Sequence, residues 1–245
     1  MATFHSLLFA LHIVVGSAAL VLFWIPMLSK KGQLNHVTFG HYYKNTMYAV
    51  AGTGAMMAII VLLMPYAIHG QAIMASPDPA AALEYTQTMY GFLLYLSLVS
   101  YTSTRHGAAV LVARNNRALL RRFQYQAPLW LLLAGGVICL FHGAITGGML
   151  HIVFGLLGVS IALSMLRYVL RKSIKQNQWI IEHIGAMIGS AIGAYTAFIA
   201  FGGRTVFSEL GAWQIAFWIA PGVAGGIATS IISSRYAKKL GLHQS

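Results

Sequence analysis

The sequence predicts an all-α polytopic membrane protein, a single transmembrane domain over residues 1–245 built as a bundle of seven spans. Three observations carry this. Only 8% of the residues are charged and 58% are hydrophobic, whereas a soluble domain carries about 25% charged residues. Several apolar runs reach the roughly 20 residues that a helix needs to cross a bilayer core. Those runs are continuous and lack the period-two alternation of a barrel strand.

The first span runs from Thr3 to Leu28, the second from Tyr42 to Ala67 and the third from Thr86 to Ala113. The fourth covers Gln126 to Ile145, the fifth Met149 to Leu170, the sixth Gln178 to Phe201 and the seventh Ala212 to Ser233. Their connections alternate in charge. Lys30, Lys31 and Lys44 follow the first span, whereas the 68–85 connection has Asp78 and Glu84 and no lysine or arginine. Arg114, Arg117, Arg121 and Arg122 follow the third span, and the 146–148 turn is uncharged. Arg167, Arg171, Lys172 and Lys175 follow the fifth, and the next connection has only Arg204 and Glu209. Arg235, Lys238 and Lys239 lie in the tail. By the positive-inside rule the N-terminus is expected outside and the C-terminus inside.

The net charge of +12 lies in these connections, where it orients the chain and meets anionic lipid. Nucleic acid is therefore not an expected partner. Cys139 is the single cysteine, which rules out an intrachain disulfide and reads as a small packed hydrophobe. No lysine or arginine precedes the first apolar run, so a cleavable signal is not expected. Pro65 and Pro221 are expected to kink their helices. Gly185, Gly189 and Gly193 form a small-residue ladder on the sixth span, and Gly222 and Gly226 a shorter one on the seventh. Such ladders suit close helix packing inside the bundle or between two copies in a homodimer.

The stretch Leu11-His12-Ile13-Val14-Val15-Gly16 returns as Leu150-His151-Ile152-Val153-Phe154-Gly155. This suggests a parallel internal repeat in which spans one and two correspond to spans five and six, related by an axis along the membrane normal. Ionisable groups at membrane depth mark function, and the histidines fall into two layers. His12, His142 and His151 form the outer one, with His5 seven residues before His12 on the same helical face. His36, His41, His106 and His183 form the inner one, beside Glu182, the only carboxylate within a span. Arg105 is the expected counter-charge of Glu182, because an unpartnered buried carboxylate protonates.

The repeat pairs His12 with His151 outside, and His36 or His41 with His183 inside. Two imidazoles facing each other in each leaflet suit axial ligation of two b-type haems. The glycine one turn from each outer histidine would leave room for a flat macrocycle. Electron transfer, with quinone or a redox partner protein, follows from that reading. A second reading is a transition-metal site for zinc, copper or iron, with ligands from His36, His41, His106 and His183 and with His142 and Glu182 as further candidates. A third is solute or proton transport along Tyr90, Ser97, Tyr101 and Thr104, a polar stripe leading towards His106. A fourth is a cofactor-free accessory subunit of a membrane complex. No phosphate loop, dinucleotide fingerprint or nucleophile–base pair stands at usable spacing.

His12 with Gly16, the Lys30-Lys31-Gly32 turn, and His36 with Gly40 and Tyr43 opening a second span resemble a family of predicted bacterial inner-membrane proteins. That family carries only a domain-of-unknown-function label. His183 with Met187, followed by Arg204, is similar to its later histidine-to-methionine motif. The resemblance implies a bacterial inner membrane and weight on His12, His36 and His183, and it implies no particular activity.

Overall fold

In the computed structural model, residues 2–202 and 214–242 are described. Arg204 and Glu209 of the last connection and Ala212, the expected first residue of the seventh span, lie outside them, as does His243. The described residues form eight α-helices: α1 Ala2–Leu28, α2 Leu34–Leu63, α3 Pro65–Met74, α4 Pro79–Ala113, α5 Phe123–Thr146, α6 Met149–Leu170, α7 Gln178–Ala197 and α8 Gln214–Lys239. A short 3-10 turn at Leu119–Arg121 precedes α5, and a π-helical turn at Phe198–Gly202 ends α7.

Five helical stretches among the described residues are long and apolar enough to cross a membrane: α1, α2, α5, α6 and residues 178–200. Their outward faces are apolar. Leu7, Val14 and Val21 line one side of α1 at 65%, 65% and 67% exposure, a surface suited to lipid rather than water. In that solvent, backbone polar groups must be satisfied within the helices, so the sequence's apolar runs fold as helices and not as open strands.

The helix boundaries have local causes. Pro65 cannot continue the amide ladder of α2. The helix stops at Met64, whose backbone opens to φ −137°, and Pro65 then occupies the first turn of α3, where a missing N–H costs nothing. The proline expected to kink one span therefore divides it into two helices, and part of the expected 68–85 connection is helical. Asp78 caps α4 by accepting from the Ala81 amide at 3.0 Å, with Pro79 in the first turn. Gly147, at φ +69°, ends α5 in the left-handed conformation that glycine adopts without strain.

Helices α1 and α2 form one tightly packed hairpin and α5 and α6 another, and α4 runs between them, against α2 on one side and α7 on another. At 35 residues α4 is about 52 Å long, well beyond a hydrocarbon core of roughly 30 Å. The α5–α6 seam depends on glycine. A Cβ at Gly155 would stand 2.7 Å from the Leu140 nitrogen, and one at Gly136 would stand 3.0 Å from the Val159 nitrogen. Close backbone approach of this kind is what small residues provide in membranes.

The glycine ladder of the sixth span behaves differently: a Cβ at Gly185, Gly189 or Gly193 meets nothing within 4 Å. Likewise, α6 makes no backbone packing with α7 comparable to that of α1 on α2, so the hairpin geometry expected of a repeat is not reproduced. The basic residues of the connections gather at one end of the bundle, which is called the basic end below. The opposite end, with α3 and the α5–α6 turn, is the far end.

Candidate functional site

The most completely buried ionisable cluster lies where α4, α5 and α7 meet near the basic end. His106 is 1% exposed, on the α4 face that also buries Thr102, Ser103 and Val110. Its Nε2 stands 2.8 Å from Glu182 Oε1 on α7, and its Nδ1 is hydrogen-bonded to the Tyr125 hydroxyl on α5. With Glu182 ionised and the imidazole neutral, Tyr125 donates to Nδ1 and Nε2–H donates to the carboxylate. Protonating Glu182 reverses both bonds. The carboxyl O–H then donates to Nε2, and Nδ1–H donates to the phenol oxygen. Both contacts persist in either state, with the Tyr125 O–H turned away from Nδ1 in the second, so a proton can move without breaking the chain.

Arg105, the expected partner of Glu182, is occupied elsewhere. Its guanidinium donates to the Gln124 and Tyr125 carbonyls at 3.0 and 3.1 Å and lies over the Tyr101 and Tyr125 rings. One residue along the helix, about 100° of rotation, puts His106 in its place. Tyr125, together with Tyr168, whose ring meets His106 edge-on at 5.8 Å, completes the cluster. Neither tyrosine stands out in the sequence: Tyr125 lies between Gln124 and Gln126 just before the fourth span, Tyr168 follows Arg167 at the end of the fifth, and no periodic signal points either at α4.

Glu182 is only partly enclosed. Its side chain is 21% exposed and lies in a groove of about 230 Å³ between α4, α6 and α7. The groove exists because α6 and α7 stand apart there, and the α7 wall is low where Gly185 and Gly189 lack side chains.

The hexapeptide histidines are not brought together. The His12 Nδ1 lies 2.9 Å from the Thr53 hydroxyl, which already donates to the Ala49 carbonyl at 2.7 Å. Nδ1 is therefore the donor, and Nε2 keeps its lone pair. A Cβ at Gly54 would meet both His12 and Ser97, so His12 lies at the α1–α2–α4 junction. His151 instead lies against Phe92 at 5.0 Å and His142 at 4.8 Å between ring centres, and its buried Nε2 has no partner among the described residues. Ser97 and Phe92 are about 140° apart around α4, so the two imidazoles sit on different faces of that helix. The glycines differ too: Gly155 is pressed against α5, whereas Gly16 meets nothing within 4 Å.

On the basic end, His36 Nδ1–H donates to the Pro26 carbonyl at 2.9 Å, and His183 Nδ1–H donates to the Gly107 carbonyl at 2.8 Å. His36 and Lys31 lie within electrostatic range of His183. His41 is exposed on α2. Among the described residues no three His, Cys, Asp or Glu side chains converge on one point, so the set His36, His41, His106 and His183 is not assembled as a metal cage. The α4 stripe finds partners in part: Tyr90 bonds His69 Nε2 at 2.8 Å and Tyr101 packs on Tyr48 at 5.8 Å, whereas the Thr104 hydroxyl is buried without a partner among the described residues.

The arginines at the basic end have a second task. Arg117, 7% exposed, donates to the Tyr168, Val169 and Lys172 carbonyls, and Arg121 donates to those of Val169 and Arg171. Together they satisfy carbonyls at the end of α6 that have no helical partner. Lys31 does the same for α1 at the Pro26 and Met27 carbonyls, and burial holds its ammonium below the ordinary lysine range. No protein-family model, curated protein or solved structure matches the chain.

Proposed function

We propose that this chain is a proton-handling membrane protein in which Tyr125, His106 and Glu182 form a relay at the basic end of α4. The observation that carries the reading is the two-bonded imidazole: His106 bridges a phenol and a carboxylate inside a bundle with an apolar exterior. An ionisable pair enclosed between apolar helices is costly, and the reversible hydrogen-bond chain gives that cost a use. The stripe of Tyr101 and Tyr48, then Ser97 with His12 and Thr53, then Tyr90 with His69, continues polar groups along α4 towards the far end. The proposed setting is a bacterial cytoplasmic membrane crossed seven times. The basic end lies inside and the N-terminus outside, supported by the clustering of Lys and Arg at one end.

The test is proton flux into proteoliposomes loaded with a pH-sensitive dye, driven by an imposed pH step. Wild-type protein is expected to equilibrate the lumen at least tenfold faster than protein-free vesicles, and Glu182→Gln and His106→Gln to fall to the protein-free rate. Equal flux in wild type and both variants would overturn the reading.

A second reading rests on His36 and His183. Both imidazoles fix Nδ1–H on a backbone carbonyl, which leaves Nε2 in the state that ligates iron. In that reading they hold one b-type haem in an electron-transfer protein, with quinone as partner. A Soret band in the purified protein that His183→Ala abolishes supports it, and its absence after expression with added haem contradicts it.

A further inference from the structure

We infer that the groove between α6 and α7 is a binding site for the headgroup of an isoprenoid quinol, with Glu182 as the acceptor of a ring hydroxyl's hydrogen bond. The inference rests on the proton-relay reading for its purpose but on separate features for its chemistry.

The polar groups in and beside the groove are unspent. Glu182 gives Oε1 to His106, and among the described residues its Oε2 takes no hydrogen bond. Ser103, 2% exposed, and Ser164 both line the groove, and neither hydroxyl has a partner among the described residues. One turn beyond Ser164 on the same α6 face but outside the groove lining, the Tyr168 hydroxyl is buried without a partner among the described residues, within electrostatic range of Glu182. A buried hydroxyl left unpaired, as that of Tyr168 is among the described residues, calls for a ligand or water. Lining the groove, Glu182, Ser103 and Ser164 offer one strong acceptor and two hydroxyls that either donate or accept, the set needed by a ring that presents O–H when reduced and C=O when oxidised.

Charge and shape select further. No lysine or arginine lines the groove, so a phosphate headgroup finds no counter-ion, and a fatty-acid carboxylate would face the carboxylate of Glu182. What remains is a neutral headgroup that donates hydrogen bonds. Ile161, Met165 and Ile181 supply apolar walls, and Gly185 and Gly189 leave a flat face on α7. A volume of about 230 Å³ falls below the roughly 300–1,000 Å³ of drug-sized sites, so it takes one ring and leaves the tail outside. Glu182 lies four residues into α7, about 6 Å from the helix start, so the headgroup would sit near the interface while its tail runs into lipid.

The experiment uses the full chain in nanodiscs and a decyl-tailed benzoquinol kept reduced under anaerobic conditions, with binding read by equilibrium partition over quinol-free discs. Saturable binding is expected. Glu182→Gln should weaken it at least tenfold, and Gly185→Leu, which fills the groove, should remove it. Ser164→Leu provides the same blockade from α6 should the Gly185 variant fold poorly, and thermal unfolding of each variant reports folding. Three results overturn the site: no saturable binding, equal binding in all variants, or equal displacement by decanol or decanoate. The infrared titration of Glu182 in ligand-free protein is a separate readout. Loss of that titration with binding intact would remove the relay and leave the groove, whereas the converse would remove the quinol and leave the relay.

Discussion

At the scale of single residues, helix position decides partner choice. Arg105 and His106 are neighbours in sequence, yet one turns to the first carbonyls of α5 and the other to Glu182. Arg117 shows the same logic. It reads in the sequence as one of four positive charges in a connection, but its guanidinium is buried on the end of α6. Hydrogen bonds to a charged donor contribute roughly 1.5–3 kcal/mol each, and leaving buried carbonyls unpaired costs more. Arg117→Ala is therefore expected to lower stability by about 2–3 kcal/mol in a reversible denaturation titration in detergent. Arg122→Ala, at an exposed side chain in the same connection, should change it by no more than about 0.5 kcal/mol. Equal effects would mean that the connection acts only through its total charge.

At the scale of elements, the two similar hexapeptides separate sequence likeness from structural equivalence. Both glycines sit one turn after a histidine, but only Gly155 touches a neighbouring backbone. A methyl group there must push α5 away, and overpacking of this kind costs about 1–3 kcal/mol. At Gly16 the same methyl meets nothing, and alanine is the better helix former. Thermal unfolding should therefore show Gly155→Ala lowering the midpoint and Gly16→Ala leaving it level or raised. Matching losses at both positions would restore the case for equivalent repeats. Helix α3 carries a related lesson. Pro65 could be read in advance as a disruption, but whether it kinks or divides a helix depends on tertiary contacts, here including the His69–Tyr90 bond to α4.

At the scale of the whole molecule, the all-helical architecture with its long apolar helices was legible because it rests on continuous apolar runs, which need no knowledge of neighbours. The fifth span, Met149–Leu170, coincides with α6 to the residue, and the early start of α2 at Leu34 was missed because polar Asn35, His36 and Thr38 dilute the run. The site was legible only in parts. His106 and Glu182 stood out as ionisable groups within spans, but their pairing depends on how α4 is rotated against α7, and Tyr125 and Tyr168 gave no signal at all. The His12–His151 pairing came from similar sequence, which does not fix the helix face presented to a shared neighbour.

The proposed orientation has its own check at this scale. Single cysteines placed at Lys31, Arg122 and Lys172 in a Cys139→Ala background should resist a membrane-impermeant maleimide in intact cells, and one at Asp78 should react. Reaction at Lys31 with protection at Asp78 would invert the topology.

The most direct test of the account's central claim is an infrared pH titration of the purified protein in lipid. The relay requires Glu182 to gain and lose a proton while bonded to His106. A carboxyl C=O band above about 1,700 cm⁻¹ should therefore appear reversibly as pH falls. It should vanish in Glu182→Gln, and its midpoint should move in His106→Gln. A Glu182 that shows no reversible protonated band, held as a fixed ion pair with a permanently charged His106, would contradict the account.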